Sequence, residues 1–152
     1  LPIVTVRPFH VYGPYEESSR LIPNLIINLL NNKMISLVSP KISRDMIYID
    51  ECINLYLKIA SFKNEFGAIY NIGSGVRSQI KYIVEKAQKY TNTQKTLKPK
   101  WNSMKKRKWD QEIWLSDMSI VTKKLKWKNK INVDEGIRLT TLWLKKNRKL
   151  YE

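Results

Sequence analysis

The hydrophobic pattern divides the chain into short β-prone runs and longer segments with helical periodicity. Apolar residues recur at helical spacing over 21–30, 53–60, 80–87 and 133–147, which predicts amphipathic helices there and a shorter one over 120–125. Compact apolar runs at 3–6, 35–38, 46–49 and 68–72 favour strands, and the first of these ends before Pro8. Strands that alternate with helices are typical of an α/β layer architecture.

Polar residues mark the starts of several predicted helices. Candidate N-cap residues stand at four of these starts: Asp50, Ser78, Asp117 and Asn132. Asn132 is followed three residues later by Glu135, which resembles a capping box. Residues 91–108 are polar, basic and without periodicity, so they are predicted as a long loop or linker with one embedded strand.

The composition predicts a chain with a hydrophobic core and no membrane-spanning segment. The 152 residues are 43% apolar and 27% charged, and a chain of this length buries roughly 70% of its unfolded surface. No apolar run approaches the ~20 residues needed to cross a bilayer. Cys52 is the only cysteine, which excludes an internal disulfide and a multi-cysteine metal site. We therefore expect a cytoplasmic protein without a metal site.

The positive charge is concentrated in the second half of a chain whose net charge is +15. Residues 95–152 hold 17 of the 28 Lys and Arg residues and all five Trp residues. Proteins that bind single-stranded nucleic acids combine basic and aromatic residues in one groove, since the cations follow the phosphates while the aromatic rings stack on the bases. Lysine is abundant throughout this chain, however, and we favour a solvated surface for the lysines at 123, 124, 126, 128 and 130.

Two short motifs that are typical of dinucleotide enzymes stand in an unsuitable context. The Gly-Ser-Gly segment at 73–75 lies between a predicted strand and helix, but no third glycine stands at 78 and no acidic residue stands near 95. A turn is predicted there. Tyr82 and Lys86 have the Tyr-x-x-x-Lys spacing, which chance alone supplies about once in a chain so rich in both residues.

Four motifs in order carry a stronger signal than any single one. They read Arg-Pro-Phe-His-Val-Tyr-Gly-Pro at 7–14, Arg-Asp-Met-Ile-Tyr-Ile-Asp at 44–50, Tyr-Asn-Ile-Gly at 70–73 and, after an Asp at 117, Leu-Lys-Trp at 125–127. This series resembles the C-terminal half of the extended short-chain dehydrogenase/reductase family, in its nucleotide-sugar epimerase/dehydratase branch. The resemblance covers essentially the whole chain, with His10 where the family has Asn and Lys126 where it has Gly.

The resemblance implies a fold and a division of roles. Residues 1–152 would be a C-terminal, substrate-binding portion: the last part of a doubly wound, Rossmann-like α/β fold plus a small α/β substrate-binding subdomain. Family members bind NAD or NADP mainly on an N-terminal half, whose glycine-rich loop and catalytic Tyr-x-x-x-Lys this chain would lack. No catalytic residue is therefore expected within the chain, and no oxidoreductase activity from the chain alone.

The resemblance also implies partners. An NDP-sugar substrate and the N-terminal half of the same enzyme are expected, and a homodimer is left open. Neither a membrane nor a nucleic acid is an expected partner.

The candidate site residues are those that the resemblance assigns to substrate and cofactor. Arg44 stands in the family's phosphate-contacting position, and Arg107 matches an arginine of the family's late Arg-x-x-Asp region. Arg20 stands where a Lys or Arg often precedes Leu-Ile-Pro. Guanidinium groups bind a diphosphate through forked, charge-assisted hydrogen bonds. For Arg20 a plain surface role is equally expected.

His10 and its neighbours are expected near the reacting groups. By resemblance His10 faces the substrate or the nicotinamide, and Pro8 and Phe9 lie near the nicotinamide. His10 is the only histidine, so it cannot form a triad or a zinc site alone, and a structural hydrogen-bonding role is its alternative.

The resulting expectation is the substrate-binding part of an NAD(P)-dependent nucleotide-sugar epimerase, dehydratase or reductase that makes activated sugars for surface polysaccharides. Two alternatives stay open: a small basic nucleic-acid-binding module that uses the Lys/Trp-rich surface, and an inactive remnant of a truncated gene. The chain begins with Leu1 rather than Met, which suggests a longer coding region. The strand at 3–6 would then have its parallel neighbours outside this chain.

Overall fold

The computed structural model describes residues 3–62, 66–104 and 111–151. The strands are β1 (Thr5–Pro8), β2 (His10–Tyr12), β3 (Ser43–Tyr48), β4 (Ile69–Ile72), β5 (Arg77–Gln79) and β6 (Ile113–Trp114). The helices are α1 (Leu21–Leu30), α2 (Ile49–Ser61), α3 (Ile80–Thr91), α4 (Ser119–Leu125) and α5 (Val133–Lys146), followed by a 3-10 helix at Arg148–Tyr151. Within these described ranges, no helix is long and apolar enough to span a membrane.

The strands form two small sheets that meet at the first motif. β1 and β4 pair in parallel, with Thr5 opposite Ile69. In the second sheet β3 pairs with β2 and β6 in parallel and with β5 in antiparallel orientation. Phe9 lies between β1 and β2, and its amide donates to the Ile72 carbonyl at 2.8 Å. The chain therefore passes directly from the first sheet into the second, which places His10 beside β3.

Two apolar clusters hold these layers together. The larger cluster contains residues of α1, α3 and α5, with Leu25 and Ile137 fully buried. The smaller cluster joins Ile47, Ile72 and Trp127, from β3, β4 and the segment after α4. A fully buried Leu or Ile side chain stabilises the fold by about 1.5–3 kcal/mol, so the apolar stripe of each helix largely decides how that helix packs.

The first strand differs from its prediction in position and in pairing. The strand predicted at 3–6 is found as β1 at Thr5–Pro8, and three of its four residues are exposed. The expectation that its parallel neighbours lie only outside the chain is wrong, because β4 pairs with it. Among the described residues β1 pairs with β4 alone, so only one of its edges is paired.

Two other strand predictions need correction. Residues 35–38 form no strand: Leu37 is buried, its amide donates to the Lys100 carbonyl at 3.1 Å, and Ser36 makes a single isolated bridge to Lys100. Within 91–108 this bridge is the only β pairing among the described residues, and 105–110 lie outside them. The two-residue strand β6 follows instead, and it is too short to produce a periodic signal.

Among the candidate caps, Asn132 acts as predicted. Its Oδ1 accepts a hydrogen bond from the Glu135 amide at 3.0 Å. Asp50 lies instead in the first turn of α2, where a negative charge interacts favourably with the helix dipole. Ser78 is paired with Arg44 in the second sheet, so it belongs to β5 and does not cap α3.

Candidate functional site

His10 and Arg44, two of the predicted site residues, lie on one face of the second sheet. Side chains alternate between the faces of a strand, and residues paired in register share a face. The register pairs His10 with Met46 and Arg44 with Trp114. The rings of His10 and Trp114 are in edge-to-face contact, with centroids 5.7 Å apart. Trp114 is thus a neighbour of the site that sequence analysis does not identify, and half of it is exposed.

Main-chain oxygens fix the direction of the Arg44 side chain. Its Nη1 donates to the carbonyls of Ser43 and Gln111, both at 2.9 Å. Arg44 is partly buried at the edge where β3 meets β6. A guanidinium that is already oriented loses less conformational entropy when it binds an anion, so Arg44 is preorganised for this role.

Asp45, on the opposite face of β3, binds two loop segments and is fully buried. Its Oδ1 accepts from the amide and the hydroxyl of Ser74, both at 2.7 Å, and its Oδ2 accepts from the Gly75 amide at 3.1 Å. Ser116 donates its amide to Oδ2 at 3.0 Å and also donates its hydroxyl. The turn that the sequence predicts at 73–75 is therefore bound to a buried carboxylate, a contact that the sequence does not indicate.

His10 is neutral at physiological pH. Burial, followed by the positive charges of Arg44 and Arg20, lowers the pKa of His10 from 6.5 to about 4, against the opposing charge of Asp45. Its Nδ1 is buried and has no hydrogen-bond partner among the residues described. A buried polar atom without a partner costs free energy. His10 therefore presents an unsatisfied hydrogen-bonding group beside two cations.

The charge of Arg20, in the loop before α1, also helps to lower the pKa of His10. Arg20 is the residue just ahead of Leu21, the first residue of the helix. Its side chain is 57% exposed, and its Nε lies 3.8 Å from Oε1 of Glu16. Because of that exposure, the ion pair is worth at most about 1 kcal/mol. Burial raises the pKa of Glu16 to about 7, although the charge of Arg20 opposes this shift.

The other predicted site residues lie at the junction of the sheets or outside the described ranges. Pro8 is exposed at the end of β1, and Phe9 is half-buried between the two sheets. Both adjoin His10 along the chain. Arg107 falls within 105–110, outside the described residues.

The tryptophans of the basic half belong mostly to the core. Trp127 is buried, and its indole N–H donates to Asn54 at 2.9 Å. Trp143 makes edge-to-face contacts with Tyr15 and Tyr151. A groove for single-stranded nucleic acid needs open ring faces beside basic residues. Of the tryptophans in the described ranges only Trp114 is exposed, so the Lys/Trp-rich surface has no row of stacking platforms there.

The Tyr82 and Lys86 pair is a surface feature that links two helices. Lys86 Nζ lies 2.7 Å from Oδ2 of Asp134 on α5 and 5.0 Å from the centre of the Tyr82 ring. The hydrogen bond to Asp134 raises the pKa of Lys86. These contacts link α3 to α5.

The described site residues can bind an anion, but they do not form a reactive group. Arg44 and Arg20 supply positive charge, His10 supplies a neutral hydrogen-bonding group, and Trp114 supplies a ring. Such a set suits a phosphate-containing ligand that also carries polar or planar groups. The described ranges contain no cluster of three or more potential metal ligands.

Comparisons with known proteins show what this chain is similar to. Residues 1–73 match the sequence model of the NAD dependent epimerase/dehydratase family. The chain is 29% identical over 140 residues to CDP-abequose synthase of Salmonella muenchen, a match that covers 89% of this chain and 45% of that protein. It is 26% identical over 150 residues to dTDP-D-glucose 4,6-dehydratase of Mus musculus, covering 96% of this chain and 42% of that protein.

A solved structure shares the fold. UDP-glucuronic acid 4-epimerase from Bacillus cereus, in complex with UDP-glucuronic acid and NAD, superposes with a TM-score of 0.86 and 24% identity. The superposition covers 96% of this chain and 46% of that one. At this identity the likeness shows a Rossmann-like α/β fold, as the resemblance implies.

The chain spans about half the length of the relatives that it matches. Each match covers about half of the other protein, and the expectation that the chain corresponds to the C-terminal half is not supported. The matched residues, the relatives and the shared fold agree in one respect. Residues 1–73 resemble the NAD dependent epimerase/dehydratase family, and the proteins that the chain is similar to are named for nucleotide-linked sugars.

Proposed function

We propose that the chain forms the NDP-sugar-binding part of an NAD(P)-dependent nucleotide-sugar epimerase, dehydratase or reductase. The observation that carries this proposal is that Arg44 and a neutral His10 share one face of the second sheet, with the charge of Arg20 also acting on His10. The relatives are named for CDP-, dTDP- and UDP-linked compounds, whose shared feature is a diphosphate between a nucleoside and a sugar. The product would be an activated sugar for surface polysaccharides.

The diphosphate is the group that the arginines would bind. It carries two negative charges, and each guanidinium donates forked hydrogen bonds to it, with about 1.5–3 kcal/mol for each charge-assisted bond. Arg44 approaches from β3 and Arg20 from the loop before α1. Arg107 is proposed as a third contact, on the family resemblance alone. His10, which stays neutral, would add a hydrogen bond to the sugar or to a phosphate oxygen without adding charge.

NAD or NADP is proposed as the cofactor, bound mainly outside this chain. The sequence contains no Gly-x-x-Gly-x-x-Gly segment, and the Gly-Ser-Gly turn at 73–75 already binds Asp45, so these residues do not fit the dinucleotide phosphates. Pro8 and Phe9 fit only the nicotinamide end, as apolar groups next to His10. The cofactor supplies hydride transfer when bound. The residues of this chain would bind and orient the sugar.

Two further proposals follow from this division of roles. The rest of the enzyme is a required partner, and a homodimer is a further proposed assembly. The 152 residues alone are expected to show no oxidoreductase activity.

Calorimetry with CDP-, dTDP- and UDP-glucose at moderate salt tests the substrate class. Arg44→Ala should weaken binding about tenfold or more, since each 1.4 kcal/mol is about tenfold. Arg44→Lys should recover only part of the loss, because lysine lacks the fork. Arg107→Ala should resemble Arg44→Ala. Lys146→Ala, an exposed change on α5, is the matched control and should leave binding unchanged.

The same titrations identify a wrong assignment. If Arg44→Ala binds as the parent does while Lys146→Ala loses affinity, the proposed site is wrong. Binding of single-stranded DNA that collapses between ~50 and 200 mM salt, without binding of any sugar nucleotide, would favour the basic-surface alternative.

A further inference from the structure

The loop at 13–20 is packed against the C-terminal end of the described chain. The Tyr151 hydroxyl donates to the main-chain oxygen of Glu16 at 2.9 Å. The Trp143 ring lies between two tyrosines, with centroids 4.9 Å from Tyr15 and 5.9 Å from Tyr151. This loop joins β2, which carries His10, to α1. Its fixed path therefore determines where Glu16 lies relative to the site.

The Glu16 carboxylate points inward although it lies on a surface loop. Its side chain is only 15% exposed, and Oε2 is buried without a hydrogen-bond partner among the described residues. Its Oε1 lies 3.8 Å from Nε of Arg20. A buried carboxylate with incomplete hydrogen bonding favours its protonated form, which agrees with its raised pKa of about 7.

Several titratable groups face Glu16 from neighbouring elements. Tyr12 from β2 and Tyr151 from the 3-10 helix both have raised pKa values, partly because of the Glu16 charge, and stay neutral near pH 7. Arg20 stays positively charged. His10 interacts with Arg20 rather than with Glu16, and with a pKa of about 4 it stays neutral. Glu16 is therefore the group in this set whose charge changes between about pH 6 and 8.

We propose that Glu16 is a positioning residue that controls how Arg20 meets the substrate anion. Ionised Glu16 attracts the Arg20 guanidinium and adds a negative charge beside the anion site. Protonated Glu16 has no charge with which to hold Arg20, which can then turn toward the diphosphate. Binding should therefore tighten as the pH falls through about 7. This inference rests on the proposed function and adds a regulation of the same site.

UDP-glucose is a suitable probe because its phosphodiester groups stay ionised throughout this pH range. Calorimetry should give about two- to fivefold tighter binding at pH 6 than at pH 8, the size expected for a partly exposed charge pair. Glu16→Gln should bind equally at both pH values, near the affinity of the parent at pH 6. Glu17→Gln is the matched control, because Glu17 is the exposed neighbour in the same loop, and it should keep the pH dependence.

A measurement without ligand separates this inference from the proposed function. In the parent and in Glu17→Gln, the Nε–H resonance of Arg20, assigned by its loss in Arg20→Lys, should shift with a midpoint near pH 7. In Glu16→Gln it should not shift. A resonance that does not respond to pH in the parent overturns the inference, as does UDP-glucose binding with equal affinity at pH 6 and 8. A responding resonance without binding of CDP-, dTDP- or UDP-glucose confirms the Glu16–Arg20 coupling and overturns the proposed function.

Discussion

Lys126 adopts a backbone conformation that is unfavourable for lysine. It follows Leu125, the last residue of α4, with φ 52° and ψ 32°, in the left-handed region. This conformation costs a residue with a Cβ atom about 1–2 kcal/mol. Glycine avoids that cost but loses about 0.5–1 kcal/mol more in backbone entropy on folding. The Lys126 side chain is exposed, so removing it should sacrifice little packing.

Lys126→Gly should therefore raise the free energy of unfolding by about 0.5–1 kcal/mol, which is the difference between these two effects. For a chain of this size the gain corresponds to a rise in Tm of about 1–4 °C. Urea unfolding followed by tryptophan fluorescence, together with a thermal scan, measures both quantities. The buried Trp127, next in sequence, makes the fluorescence sensitive to this turn.

Two control variants show whether the conformation is responsible. Lys123→Gly is an exposed change inside α4 and should lower stability by about 1 kcal/mol, since glycine is a poor helix former. Lys126→Val should also destabilise, because a β-branched side chain rarely adopts the left-handed region. If Lys126→Gly lowers stability as Lys123→Gly does, the turn stores no strain and the reasoning is wrong.

Three further changes should alter stability in ways that the contacts specify. Gly136→Ala should lower the free energy of unfolding, measured with urea, by about 2–3 kcal/mol, because the new Cβ would overlap the Tyr12 hydroxyl and lie 2.7 Å from its Cζ. A gain of stability, as at an exposed helix position, would contradict this packing. Asp45→Asn should lower the free energy of unfolding by about 3 kcal/mol, since an amide NH₂ would face buried donors. Asp50→Asn, on the surface, should change this free energy little, and equal effects of the two variants would refute the role of the buried carboxylate. The pKa of Glu16 is raised from 4.5 to about 7 in the folded chain, so about 3 kcal/mol of the free energy of unfolding should be lost as the pH rises through this interval. Glu16→Gln should remove that part of the pH dependence, and an unchanged profile would show that Glu16 titrates normally.

Local patterns predict the helices well, because their signal lies within each segment. The spacing of apolar residues over 21–30 matches α1, and Asn132 caps α5 as expected. The family motifs predict His10 and Arg44 as site residues, and the register of β2 on β3 places both on one face of the sheet. Trp114 is not identified, since only the pairing of a two-residue strand brings it to the site.

Local sequence patterns also do not predict the charge state of the site. Glu16 stands in the loop among other polar residues, and nothing in its neighbours along the chain distinguishes it from Glu17. Its burial results from the packing of Tyr151, which lies 135 positions away in sequence. The motif containing Arg44 and Asp45 likewise does not indicate that the carboxylate binds two distant loops, because its donors lie 29 to 71 positions further on.

The hydrogen bonds of Asp45 can form only in the order in which the ribosome synthesises the residues that donate them. Donors from Ser74 and Gly75 follow Asp45 by 29 and 30 residues, and Ser116 follows it by 71 residues. At about 5–20 residues per second, roughly 4–14 s separate the appearance of the carboxylate from that of its last donor. Over that interval β3 cannot form its complete set of contacts. The nascent chain should then be most exposed to proteases and most dependent on chaperones.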